Sequence, residues 1–243
     1  MTFKKILYNI FDFFTDILLP RRCPICGQIP SGADRICPDC LKKIRIAVEP
    51  VCTNCGKPIE KVQDEICYDC GRTRHLFRQG KAYCLHTGVI RDSMYQIKYA
   101  NKREYMQVFA KEWYDLNCEW ISRKQIQMII PIPLHRKKRR QRGYNQAKVM
   151  ADELGKYLDI PVEHKLLYRC RQTRPQKDLN DTMRRQNLKN AFQTVSSPIR
   201  LKNILLVDDI YTTGSTIDAA VSALLEAGVE NVYFAVISIG DGY

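Results

Sequence analysis

Beyond residue 80, short continuous apolar runs alternate with stretches whose apolar positions recur every three or four residues. The runs at 83–88, 128–134, 203–207 and 232–237 have the length of strands, and Ile204-Leu205-Leu206-Val207 is apolar on both faces, as a strand covered on each side must be. Residues 92–116 read as one or two helices and residues 145–158 as another. A further helix at 215–227 carries Ile217, Ala220, Val221, Leu224 and Leu225 on one face and is stopped by Gly228. Strands alternating with helices in this way predict an α/β domain with a mostly parallel sheet, here over residues 76–243.

The start of the chain has a different texture. Apolar side chains at 3, 6, 7, 10, 11, 13, 14, 17 and 18 have helical spacing and Pro20 ends the pattern, so residues 1–20 are expected to form an amphipathic helix. Such a helix is too apolar to stand free. Docking on another domain of the same chain is the expectation, with peripheral contact to a membrane as the alternative. Stable membrane insertion is not expected, because Asn9, Asp12, Thr15 and Asp16 break this run and no other approaches the ~20 apolar residues that cross a bilayer. Pro20-Arg21-Arg22 follows where a signal peptide would place small residues for cleavage, so a cytoplasmic location is expected.

Composition changes the picture at one residue type. The chain is 45% hydrophobic and 27% charged, which excludes a disordered or fibrous protein, but it holds 11 cysteines. Eight of them form four Cys-x-x-Cys pairs: Cys23/Cys26, Cys37/Cys40, Cys52/Cys55 and Cys67/Cys70. Ten residues separate the first two pairs and eleven the last two, which is close to zinc-ribbon spacing. A tight turn lets two sulfurs of one pair meet one ion, and a short hairpin delivers the second pair to complete a tetrahedron. Gly27, Gly56 and Gly71 each follow the second cysteine of a pair, where the turn often requires positive φ. Two structural zinc ions, one per half, are expected over residues 21–75, because four thiolates leave no open position for catalysis. Redox-active dithiols or disulfides are the other readings, and the knuckles could pair in sequence order or interleave. A region of about 50 residues is too small for a hydrophobic core of its own, so metal must supply much of its stability. Arg72, Arg74 and Arg78 mark a linker to the α/β domain. Cys84, Cys118 and Cys170 have no local partner and read as core or surface thiols.

Charge is equally uneven. The formal net charge is +13, and residues 121–190 account for most of it with 18 Lys and Arg against 6 Asp and Glu, whereas residues 191–243 hold 2 against 6. A surface of that density attracts phosphate groups. It contains the run Arg136, Lys137, Lys138, Arg139, Arg140 and Arg142, directly after the predicted strand that ends near Leu134. A run of Lys and Arg is usually only a solvated face; its place at a strand end argues for anion binding.

The most informative stretch is Ile204-Leu205-Leu206-Val207-Asp208-Asp209-Ile210-Tyr211-Thr212-Thr213-Gly214-Ser215-Thr216. An apolar strand ends in two carboxylates, and a loop of small hydroxyl residues opens an amphipathic helix. Ligands of open α/β sheets gather at the carboxyl ends of strands, and a helix amino terminus attracts a phosphate. Thr212 to Thr216 offer backbone N–H groups and four hydroxyls to one phosphate, with Gly214 permitting close approach, and Asp208 and Asp209 are placed for the vicinal hydroxyls of a ribose. A Walker A loop is excluded, since there is no Gly-x-x-x-x-Gly-Lys. A turn followed by a capped helix would leave the adjacent like charges unexplained.

This stretch resembles the 5-phosphoribosyl 1-pyrophosphate (PRPP) signature of type I phosphoribosyltransferases. Pro131-Ile132-Pro133-Leu134-His135 and Arg142-Gly143-Tyr144-Asn145-Gln146-Ala147 narrow the resemblance to the ComF/GntX branch, whose members also begin with paired cysteine knuckles. Thr173, Gln176, Leu179, Arg184, Arg185, Asn187, Ala191 and Phe192 resemble the same branch. The resemblance implies PRPP binding with Mg2+: ribose on Asp208 and Asp209, 5′-phosphate on Thr212, Thr213, Gly214, Ser215 and Thr216, and pyrophosphate on Leu134, His135, Arg136, Lys138, Arg139 and Arg142. Lys138 departs from the Arg common at that position and loses the bidentate fork. Residues 169–185 would close over the site as a hood. Thr212 stands where several purine-transferring relatives carry a catalytic aspartate, so no general base for an acceptor is visible.

The branch also implies a role in natural competence, with single-stranded DNA and a competence helicase as partners. Eighteen cations exceed what one pyrophosphate needs, and Arg139, Arg140, Arg142, Tyr144, Arg169 and Arg171 are the candidate DNA contacts, with Tyr99 and Tyr168 as further stacking faces. Two classes of function are therefore expected: a phosphoribosyltransferase whose acceptor is unidentified, or a non-catalytic PRPP-sensing or DNA-binding factor.

Overall fold

The computed structural model describes residues 21–32, 34–170, 191–195 and 200–240. Six strands lie among them: β1 (Gln79–Leu85), β2 (Met128–Pro131), β3 (Leu167–Arg169), β4 (Phe192–Thr194), β5 (Asn203–Tyr211) and β6 (Asn231–Ile239). Four form one sheet in the order β1-β6-β5-β2 with every pairing parallel, while β3 and β4 pair antiparallel beside it. The helices are α1 (Pro38–Leu41), α2 (Tyr68–Arg72), α3 (Gly88–Tyr99), α4 (Arg103–Ser122), α5 (Arg136–Arg142), α6 (Gln146–Leu158) and α7 (Ser215–Glu226).

Period-two alternation sends the side chains of the central strands into two cores. Ile204 and Leu206 of β5 and Val232, Phe234 and Val236 of β6 join Ile217, Ala220, Val221 and Leu224 of α7 and Cys52, Cys55, Cys67 and Cys70. Leu205 and Val207 of β5 and Ala235 and Ile237 of β6 join α3, α4 and α6, together with Cys23 and Cys40. The expected doubly covered parallel sheet is thus present, and each cysteine cluster caps a different face of it.

Several boundaries differ from the sequence reading. β5 does not stop at Val207: Asp208, Ile210 and Tyr211 remain in register with Val236, Ser238 and Ile239, so the two carboxylates belong to the strand itself. β1 starts at Gln79 because Gln79 and Gly80 pair with Tyr233 and Phe234. The stretch expected to be a linker is docked rather than free, with Phe77 buried and the Arg78 N–H donating to Val232 O at 2.8 Å. Gly71 lies inside α2 and lacks the positive φ found at Gly27 (73°) and Gly56 (78°). The expected basic loop is helical over Arg136–Arg142, capped by His135, whose Nδ1 accepts from Lys137 N. The helix expected in residues 1–20, Arg171 and most of the expected hood lie outside the described residues.

Candidate functional site

The cysteines assemble in sequence order. Cys23, Cys26, Cys37 and Cys40 form one group and Cys52, Cys55, Cys67 and Cys70 a second, with the ligand atoms of each group within 4.8 Å of one another. Sulfurs of Cys26 and Cys37 are 3.7 Å apart, and those of Cys55 and Cys67 3.6 Å. A tetrahedron of thiolates about a zinc ion with ~2.3 Å bonds has edges of about 3.8 Å, whereas a disulfide needs ~2.05 Å, so the spacing fits metal and not disulfides. The two groups sit differently. The first rides on α3 and α4, where Ser93 donates to Pro24 O and Arg35 meets Glu112 at 3.0 Å and Asp115 at 2.7 Å. The second abuts the end of β5 through Phe77, Tyr211 and Phe234.

The last residues of β5 form the floor of the candidate site. Asp208 Oδ1 accepts from the N–H of Asp209 at 2.9 Å, and Asp209 Oδ2 lies 2.7 Å from Lys98 Nζ on α3. Burial, then the neighbouring Asp209 charge, pushes the Asp208 carboxyl well above the usual carboxylate range. Burial also acts against ionisation of Asp209, but the Lys98 ammonium, the hydrogen bond with Asp208 and the Arg142 charge together outweigh it and hold that carboxyl low. The pair is therefore divided by its surroundings into one carboxyl that holds its proton readily and one that stays ionised.

After β5 the chain turns through Thr212 and Thr213 into α7. Gly214 caps that helix with φ of 79°, in the left-handed region. A Cβ there would lie 2.6 Å from Tyr211 Oη and 2.8 Å from His75 Cε1, so both conformation and space require glycine. The Thr213 and Ser215 hydroxyls share a hydrogen bond of 2.8 Å beside the unpaired end of α7.

The basic run divides by helix face. Lys138, one turn from Arg142, is held below the usual ammonium range by burial and then by the charges of Arg169 and Arg142. Arg142 stacks over Tyr99 at 5.4 Å and donates to Gln146 Oε1 at 3.2 Å. Arg169 of β3 is in turn coupled to Asp208. Arg169 thus acts on Asp208 and Arg142 on Asp209, with Lys138 beside both arginines. Arg136, Arg139 and Arg140 instead line a separate open cleft of about 390 Å³ with Gly143. The six pyrophosphate residues expected from sequence are consequently not one cluster, because a helix turns its neighbours through about 100°.

Tyr144 is also displaced from its expected role. It is 7% exposed, its hydroxyl donates to Ile97 O, and Arg103 covers the ring at 4.6 Å, so it cannot stack a base. Tyr99 and Tyr168 are open, at 58% and 40% exposure. Sequence reasoning missed Lys98, His75 and Asp218, because no local pattern announces a partner more than a hundred residues away; it also missed Tyr95, which lies one turn from Tyr99. It also gave no role of its own to Gln146, whose buried Nε2 has no partner among the described residues.

The chain matches two family descriptions, a double zinc ribbon domain over residues 14–71 and a phosphoribosyl transferase domain over residues 141–239. It is 41% identical over 106 residues to competence protein F of Haemophilus influenzae, covering 43% of this chain and 46% of that one. Competence protein ComFC of Bacillus subtilis is 26% identical over 207 residues, 85% of this chain and 72% of the relative. The DNA utilization protein YhgH of Escherichia coli O157:H7 is 35% identical over 104 residues, 43% and 45% of the two chains. The matches thus span about half the length of the first and third relatives and more of the second.

Proposed function

From the premise that the chain is a ComF-family protein, a double zinc ribbon joined to a phosphoribosyltransferase domain, we propose that it binds PRPP with Mg2+ and handles single-stranded DNA in competence. The juxtaposition of Asp208-Asp209 with the Thr212–Thr216 turn at the carboxyl end of a central strand carries this reading. Asp208 and Asp209 accept from the ribose hydroxyls, Thr212 to Thr216 hold the 5′-phosphate with backbone N–H groups and hydroxyls, and Lys138, Arg142 and Arg169 face the pyrophosphate. The carboxylates and the ligand's own phosphates are the hard oxygen donors Mg2+ prefers, and the ion supplies charge neutralisation on the leaving group. Expulsion of pyrophosphate from C1 of the ribose develops negative charge on the leaving group, opposite in sign to these gathered cations, which is how this chain's residues would lower the barrier.

Calorimetric titration of PRPP in the presence of Mg2+ tests the binding, and pyrophosphate release with and without candidate acceptors distinguishes transfer from sensing. Sensing without transfer is the second reading, favoured by Thr212 at the position where several purine-transferring enzymes of the resembled family carry an acid. The state of Asp208 adds a pH signature. Its folded pKa is raised, so at low pH a proton must leave before the carboxylate can accept from ribose, and PRPP affinity is expected to increase as pH rises through that pKa. Affinity that does not rise with pH above the ordinary carboxylate range would count against this role for Asp208.

The DNA part of the proposal rests on the cleft of Arg136, Arg139 and Arg140 and on an aromatic pair on α3. Tyr95 and Tyr99, one turn apart on that helix, are 64% and 58% exposed with ring centroids 4.8 Å apart. Cations follow a phosphate backbone while open rings stack bases without regard to sequence. Replacing Arg139 and Arg140 by Ala is expected to flatten the salt dependence of binding by about 0.7 for each phosphate no longer neutralised. Replacing Tyr95 and Tyr99 by Ala should weaken binding roughly 10-fold and leave the slope intact. Fluorescence anisotropy with an oligonucleotide over a salt series checks both; absence of binding at low salt would leave PRPP as the only ligand.

A further inference from the structure

The side chain of His75, in the connection between the second cysteine group and β1, is only 3% exposed. Its Nδ1 lies 2.7 Å from Asp218 Oδ2 in the first turns of α7, and the N–H of Leu76 donates to the other oxygen of the same carboxylate at 3.0 Å. With Nδ1 on Asp218, the other ring nitrogen, Nε2, faces Tyr211 Oη at 3.4 Å. The ring edge rests against the backbone of Gly214, where an added Cβ would lie 2.8 Å from Cε1. One imidazole therefore touches the residue before the hydroxyl turn, the glycine inside it and the helix after it.

The second cysteine group stands behind this contact. The Gly80 N–H donates to Asn54 O at 2.8 Å, joining the Cys52–Cys55 knuckle to β1. Gly80 leaves room for Phe234, whose ring stacks on Tyr211 with centroids 4.9 Å apart and planes 3° from parallel. Phe77 stacks on His75 at 4.8 Å. Lys57, buried inside this ribbon and paired with Asp69 beside Cys70, places its ammonium 5.9 Å from the centre of the Tyr211 ring. The first group makes its contacts on α3 and α4, on the other face of the sheet.

We infer that the second ribbon braces the hydroxyl turn after β5, with His75 as the positioning residue, so that metal bound at Cys52, Cys55, Cys67 and Cys70 sets the affinity of that turn for a sugar phosphate. The choice of ligand rests on the PRPP reading; the brace itself does not. A turn held in one conformation binds an anion without the cost of ordering its donors, and releasing it returns that cost.

The test uses the full chain loaded with zinc. Amide hydrogen exchange over residues 212–218 is measured without ligand, and affinities for ribose 5-phosphate and for pyrophosphate are measured separately. His75→Ala is expected to raise exchange in this segment about 10-fold and to weaken ribose 5-phosphate about 10-fold, the size of one lost hydrogen bond to a charged group, while pyrophosphate affinity stays unchanged. His75→Asn, whose amide can still donate to Asp218, should fall between Ala and the wild type. Cys70→Ser should reproduce the His75→Ala exchange pattern, and Cys26→Ser should not. Unchanged exchange and unchanged ribose 5-phosphate affinity in His75→Ala would overturn the brace, as would equal weakening of both ligands, which reports general destabilisation. If ribose 5-phosphate binds no form of the chain, the PRPP reading fails, and the exchange data alone decide whether the ribbon holds the turn.

Discussion

Replacing both Asp208 and Asp209 by Asn is expected to weaken PRPP binding roughly 100-fold or more, while Asp208→Asn alone is expected to raise the melting temperature. The loss follows from two charged acceptors, each worth about 1.5–3 kcal/mol when its hydrogen bond forms. The gain in stability follows from the geometry at the end of β5. Two adjacent carboxylates are held in a partly buried strand where Asp208 is penalised by burial and by Asp209, and Lys98 compensates only the second. Because the folded pKa of Asp208 is raised, its contribution to stability is complete below the usual carboxylate pKa and is lost as pH rises through the folded value. Above that value the wild type therefore carries a cost that Asn at position 208 removes, with a shift of about 2–4 °C per kcal/mol recovered, whereas Asp209 is kept because its charge pairs with Lys98. Calorimetric titration of the double variant and thermal denaturation of Asp208→Asn measure the two effects. A double variant that binds PRPP as the wild type does would place the ribose elsewhere; an Asp208→Asn variant that melts lower would show that carboxyl to be structural.

The second large effect is expected from the cysteines. Fresh, reduced protein should contain two zinc ions per chain, and Cys52→Ser should retain one and lower the melting temperature by roughly 10 °C or more. Cys52 and Cys55 are 1% and 0% exposed and share a core with β5, β6 and α7, so loss of their ion leaves thiols and unanchored turns within the main packing interface. Cys26→Ser should cost less, because Cys26 is exposed and its group sits at the edge of the other core. Metal analysis with thermal denaturation is the check. One ion or none in the wild type would refute two zinc centres.

What was legible along the chain had a local cause. The cysteine spacing identified four knuckles because each is a turn of four residues, and it is the fold that closes them in sequence order as two groups. The apolar run at 204–207 identified a central strand, since only burial on both faces tolerates it. Asp208, Asp209 and the hydroxyl turn were legible together because they are contiguous. The basic run was visible as charge, but its division was not. Whether Arg139 joins Lys138 or turns away depends on the chain being helical there, and a run of seven polar residues has no apolar periodicity to announce a helix.

The sequence by itself determined the fold class, the four cysteine knuckles and the hydroxyl turn, all of which depend on residues close together in the chain. Only the tertiary structure decided which cations face the carboxylates, that Lys98 pairs with Asp209, that Tyr144 is buried, and that His75 meets Asp218 from 143 residues away. Those contacts follow from the order in which parallel strands join the sheet. β1 lies beside β6, the last strand of the chain, and this brings the end of the second ribbon against the turn that follows β5. Sheet order is set by the summed burial of many distant side chains, and no short stretch of sequence carries that sum.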